Sequence, residues 1–161
     1  MPPKNTDTQA PHTHLDDQFR DAAQHQLNDV PLNAPLPSTS SLNKCLRQAM
    51  GRFLILLPIV HVPSFVPDRS NAWLLVAMCS LGSQLIQCRD ALSHGHRMFE
   101  SLHRAILSSW STFSTPRPDW LCILQATVFG QTHAMLSSHG KYLHTAQAFH
   151  GTLIHGYRVA L

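Results

Sequence analysis

Beyond Ser40 the apolar residues recur at steps of three and four, and nowhere do they alternate with polar ones over a useful length. Such steps gather side chains on one face of an α-helix, whereas a half-buried strand needs a period of two. The pattern therefore admits one fold class, all-α, and predicts an irregular bundle of about five helices. The first runs over about 41–56, with Ser40 or Ser41 as N-cap and Leu42, Leu46, Ala49, Met50, Phe53, Leu54 and Leu57 in its stripe. Pro58 ends it, because the ring blocks the preceding turn and the missing N–H removes a donor. Pro63 and Pro67 make 59–67 an extended connector.

A second helix, about 70–88 with Ser70 as cap, is apolar on most faces and reads as the centre of the bundle. A third, about 91–110 with Asp90 as cap, carries Leu92, Phe99, Leu102, Ile106, Leu107 and Trp110 on one side and Arg97, Glu100 and Arg104 on the other. The fourth opens at Pro118 and Asp119, residues suited to the first turn, and passes through Trp120, Leu121, Leu124, Val128 and Gln131. The fifth, about 142–159, aligns Leu143, Ala146, Phe149, Leu153 and Tyr157. Residues 1–39 contrast with all of this. They hold six prolines and few large apolar residues, so burial cannot offset the entropy of ordering and disorder is expected. Within them, 15–27 has helical spacing but would be marginal alone, a segment suited to docking on a partner.

Several function classes lack material. The net charge of +3 is scattered, and the densest basic stretch offers only Lys44, Arg47 and Arg52, too little to track phosphates. The three tryptophans lack flanking Lys or Arg and read as core. The four cysteines form no Cys-x-x-Cys pair, and three lie in apolar runs as small hydrophobes. A polar N-terminus with prolines at positions 2 and 3 is unlike a signal peptide, which favours a reducing intracellular compartment without disulfides. The apolar stretch Ala72–Ile86 is shorter than the ~20 residues of a membrane span. Among twelve histidines, His94 and His96, His139 and His144, and His150 and His155 are two or five apart, not the four that sets both rings on one helical face. No Gly-x-Ser-x-Gly frame or glycine-rich phosphate loop occurs, and carboxylates after residue 40 are few. The reading is a non-enzyme, with no catalytic, cofactor or metal residues in this chain.

One stretch is more specific. Phe53, Pro58, His61, Pro63, Ser64 and Phe65, in FLILLPIVHVPSF, resemble the opening of the fungal-specific transcription factor domain. That domain is the regulatory region downstream of zinc-cluster and two-Cys two-His zinc-finger DNA-binding modules. LLVAMCSLGS, with Gly82, LCILQATVFGQ, with Leu124 and Gln125, and HGTLIHGYRVAL, with Gly151 and Arg158, are similar to later motifs of the same family in the same order. The resemblance covers about 48–161 and implies a domain over 40–161 that stops short of the family's C-terminal helices. It implies a nuclear regulator of transcription, with zinc and DNA contact confined to a module absent from this chain. It also implies protein partners: a homo- or heterodimer with related regulators, or transcriptional co-regulators, met through apolar faces left open. His61 is expected to bond within the connector. A stand-alone helical adaptor that binds a full-length relative, or a non-functional truncated fragment, are the alternatives this reading carries.

Overall fold

The structure is a computed structural model that describes residues 14–27, 35–109 and 119–160. Among them every regular element is helical: α1 (Asp17–Leu27), α2 (Thr39–Gln48), α3 (Leu54–Leu56), α4 (Ala72–Ser83), α5 (Arg89–Ser109), α6 (Trp120–Leu136) and α7 (Gly140–Ala160). A π-helical turn, Ala49–Phe53, joins α2 to α3, so the predicted first helix is one rod with a widened turn near its end. Its cap lies earlier than expected. The Ser38 hydroxyl, not Ser40 or Ser41, accepts from the Ser41 N–H.

The predicted centre of the bundle is its centre. Every residue of α4 from Leu74 to Ser83 is buried, and α1, α2, α5 and α6 all pack on it. Each large apolar side chain so enclosed contributes about 2 kcal/mol of hydrophobic stabilisation. Close packing depends on two glycines. A Cβ at Gly82 would lie 1.9 Å from the Cys45 carbonyl oxygen on α2, and one at Gly95 on α5 would lie 1.8 Å from Ser83 Oγ. Helix α4 ends at Ser83, earlier than the predicted Cys88, and a turn through 84–86 leads into α5. Asp68 takes the capping role expected of Ser70: it accepts from the Arg69 N–H at 2.6 Å, and the Ser70 hydroxyl donates to its other oxygen.

The core also reaches back beyond residue 40. Leu15, Phe19, Ala23 and Leu27 present one buried face, and α1 packs on the chain's own α4 and α5 rather than waiting for a partner. Asn43 of α2 anchors the junction, its amide exchanging hydrogen bonds of 2.8 Å with both the N–H and the C=O of Leu15. Thr39 donates to Asp17, and the Leu36 N–H donates to the Gln24 side chain. The expectation of disorder over 1–39 therefore does not apply to 14–27, where apolar spacing finds a complementary face. Residues 1–13 and 28–34 lie outside the described residues.

Two predicted stripes differ in part from those observed. On α6, Leu121 is 64% exposed while Ile123, Ala126, Phe129 and His133 are buried with Leu124. On α7, Ala146 and Leu153 face inward as expected, but Leu143 is exposed and Tyr142 takes its place. Trp110 and the side chains of Phe149 and Tyr157 lie outside the described residues.

Candidate functional site

The sequence-predicted motif residues divide between a pinned connector, the core and the outer side of α7. Phe53 is buried at the end of the π-helical turn, and Phe65 is half-buried against the main core. Between them, Pro58, His61, Pro63 and Ser64 are exposed. The connector is nonetheless fixed. Ser64 Oγ donates to the His61 carbonyl and accepts from His61 Nδ1 at 2.7 Å, closing a turn over Val62–Ser64. Gln125 on α6 donates to the Ile59 carbonyl at 2.6 Å, joining the connector motif to the later Leu124–Gln125 motif. Asn71 holds the far end through Val66 O and the Asp68 N–H. Leu124 is in the core, and Gly82 is at the α2–α4 crossing. Gly151 and Arg158 are exposed on α7 and join neither group.

Pinning this connector leaves apolar side chains facing water beside it. Ile55 and Leu56 are each 75% exposed and Val66 is 69% exposed. Leu121, Met135, Leu136, Leu143 and Ile154 add exposed apolar positions on α6 and α7. Exposed single hydrophobes are ordinary, and these three flank one pinned loop.

A second feature escaped the sequence reading. On the inner side of α6, His133 is fully buried. Its Nδ1 lies 3.0 Å from the Ser80 carbonyl and 3.1 Å from Ser80 Oγ; its Nε2 lies 3.2 Å from His96 Nδ1 and 3.4 Å from Gln84 Nε2. Its ring stacks on Phe99, and His96 stacks with His139 and Tyr142. Burial, aided by His96, pushes the His133 imidazole down to about 4. The signal was present: His133 falls three and four residues beyond Gly130 and Phe129 on the buried stripe of α6.

On the rim of this cluster, Glu100 accepts from Lys141 at 2.8 Å and from Tyr142 at 3.0 Å. Burial pushes its carboxyl up. The two hydrogen bonds and the charges of Lys141 and Arg104 outweigh that and leave it below its ordinary value. Phe99, Glu100, His103, Arg104, Lys141, Tyr142 and Thr145 line an open groove there.

The thiols do not fit a zinc site. Cys45 and Cys79 are buried, with burial pushing Cys45 up to about 11, and Cys79 donates to the Leu42 carbonyl. Among the described residues no three His, Cys, Asp or Glu side chains are placed to hold a metal ion, and no helix is long and apolar enough to cross a membrane.

Residues 52–161, from the end of the first rod through α7, match the family described as fungal specific transcription factor domain. The chain belongs to that family. It is similar to the nicotinate catabolism cluster-specific transcription factor of Emericella nidulans, at 29% identity over 126 residues. That alignment takes in 76% of this chain and 14% of the relative, so the chain spans a small part of that protein's length. No solved structure matches. Family and relative alike point to a role in regulating transcription.

Proposed function

We propose that this chain acts as the helical interaction segment of a zinc-finger-type transcription regulator, making protein contacts and leaving DNA recognition to a module outside these residues. The family match over 52–161 carries the reading. Chemistry supports it: the exposed side chains around the connector are aliphatic, the net charge of +3 is small, and nothing in the sequence reads as a phosphate-tracking surface. The surface formed by Ile55, Leu56 and Val66 would receive a related regulator or a co-regulator in the nucleus. No cofactor is required for such contacts, and zinc would serve the DNA-binding module of complete relatives.

The test is to tether the chain to an unrelated DNA-binding domain and measure a reporter in a fungal host. A several-fold change in expression is expected. The double variant Ile55→Asp, Leu56→Asp should abolish it while leaving the melting transition intact, because both residues are exposed. A tethered wild-type chain that leaves the reporter unchanged would sink the proposal.

A further inference from the structure

We propose that the imidazole cluster where α4, α5, α6 and the start of α7 meet is an acid-sensitive latch, whose protonation releases the first turns of α7 while the core around α4 stays folded. This goes beyond the transcriptional reading and does not rest on it. The hydrogen-bond directions come first. A carbonyl can only accept, so His133 Nδ1 carries the hydrogen that faces Ser80 O at 3.0 Å. The neutral ring then has its lone pair on Nε2, which accepts from His96 Nδ1–H at 3.2 Å and from the Gln84 amide. The relay runs from His96 through His133 to the backbone of α4, and in this direction it needs the Nε2 lone pair of a neutral His133.

A proton added at His133 Nε2 would meet the His96 N–H and the Gln84 amide head-on. A proton on each ring would set two like charges one hydrogen bond apart, with His133 shut off from water. The groups facing the pair are Ser80 and Gln84 from α4, Glu100 from α5, with Arg104 acting on that carboxylate, His139 from the α6–α7 connection, and Lys141 and Tyr142 from α7. Glu100 is the carboxylate among them, and it is engaged by Lys141 and Tyr142. Burial first, then His139 and Lys141, push His96 down, against the opposite pull of Glu100.

The consequence falls on α7 because of what holds each helix. Helix α6 is fixed to α4 by Ile123, Leu124, Ala126 and Phe129, all in the main core. The first turns of α7 rest instead on a small separate cluster of Phe99, Ala134, Tyr142 and Ala146, and on the stacking of Tyr142 against His96. Releasing these first turns opens the imidazoles to water, while Leu153 further along keeps the rest of α7 on the main core. The sign follows from burial, which holds both His133 and His96 below their ordinary value. A released imidazole binds a proton more readily than a docked one. Docking is therefore fully favoured above about pH 6.5, the free imidazole value, and is lost as pH falls towards about 4, where docked His133 titrates.

Hydrogen exchange on the full chain at about pH 7.5 and about pH 5, expressed as protection factors, tests the latch. Amides of the first turns of α7, about 140–147, should lose protection about tenfold or more at the lower pH, while those of α4 hold theirs within about twofold. In the variant His96→Gln, His139→Gln, both at partly or fully exposed positions, the loss should be smaller, because the buried His133 is then the one ring of the cluster left to take the proton. Unchanged α7 protection in the wild type would overturn the proposal. So would equal losses in α4 and α7, or the same loss in the double variant.

Discussion

Gly82→Ala tests the helix crossing on which the rest of the bundle depends. Alanine is the better helix former by about 1 kcal/mol, so propensity alone makes this substitution stabilising. The surroundings reverse the sign. The added methyl would sit 1.9 Å from the Cys45 carbonyl oxygen, 2.8 Å from its carbon and 3.0 Å from the Ala49 nitrogen. These are backbone atoms of α2 and the turn that follows it, so no side chain can swing aside. Ordinary contact begins near 3.4 Å, and α2 would have to move off α4 by more than an ångström. That movement loosens Leu42, Leu46 and Ala49 from the central helix. Overpacking of a rigid site costs about 3 kcal/mol or more, leaving a net loss of roughly 2–4 kcal/mol after the propensity gain. For a domain of this size the melting temperature should fall by about 5–15 °C, read from thermal unfolding followed by circular dichroism. Gly51→Ala is the control: nothing lies within 4 Å of its Cβ position, so the substitution should be neutral or gain up to about 1 kcal/mol. If Gly82→Ala melts at or above the wild-type temperature, the crossing is wrong.

Asn43→Leu should cost about 2–4 kcal/mol in urea unfolding, because it strands the Leu15 N–H and C=O in a buried site or forces α1 to undock. Amide protection across α1 should fall with it. Deleting residues 1–38 should lower the melting temperature measurably; periodicity alone, with that segment read as disordered, predicts almost no change. Leu124→Asp places an unpaired charge at a position 6% exposed within the main core and should abolish the cooperative transition. A retained melt would show that α6 is packed the other way round. Under native conditions a thiol reagent should modify Cys88 first and leave Cys45 and Cys79 untouched until the chain unfolds, since both are buried and burial raises both thiols. Mass spectrometry of a labelling time course reads the order directly.

How much of the fold was legible depended on what the local pattern encodes. Period and proline position located all five expected helices and the connector, because both act over a few residues. The all-round apolar character of 72–83 identified the central helix, since a helix without a polar face has nowhere else to go. Which face of α6 points inward was not legible. Leu121 and Ile123 are equally apolar, and the choice rests on how α4 and the connector meet α6, a long-range matter. The fate of 15–27 turned on the same kind of information. Its helical spacing was visible, but the partner face on α4 and the Asn43 amide that satisfies Leu15 lie far along the chain.

The histidine cluster marks a different limit. Pairing histidines by short sequence separation tests for rings on one helix, yet His96 and His133 stand 37 residues apart and meet because Gly95 lets α5 approach α4 closely. A Cβ at Gly95 would strike Ser83, whereas one at Gly130 would make ordinary contact with the Phe99 ring that stacks on His133. The small residue that sets the α4–α5 spacing thus also sets which imidazoles share a hydrogen bond. Widening that approach should separate the rings before it unfolds the bundle. Packing that looks purely structural in the sequence therefore also decides whether this interior can sense protons.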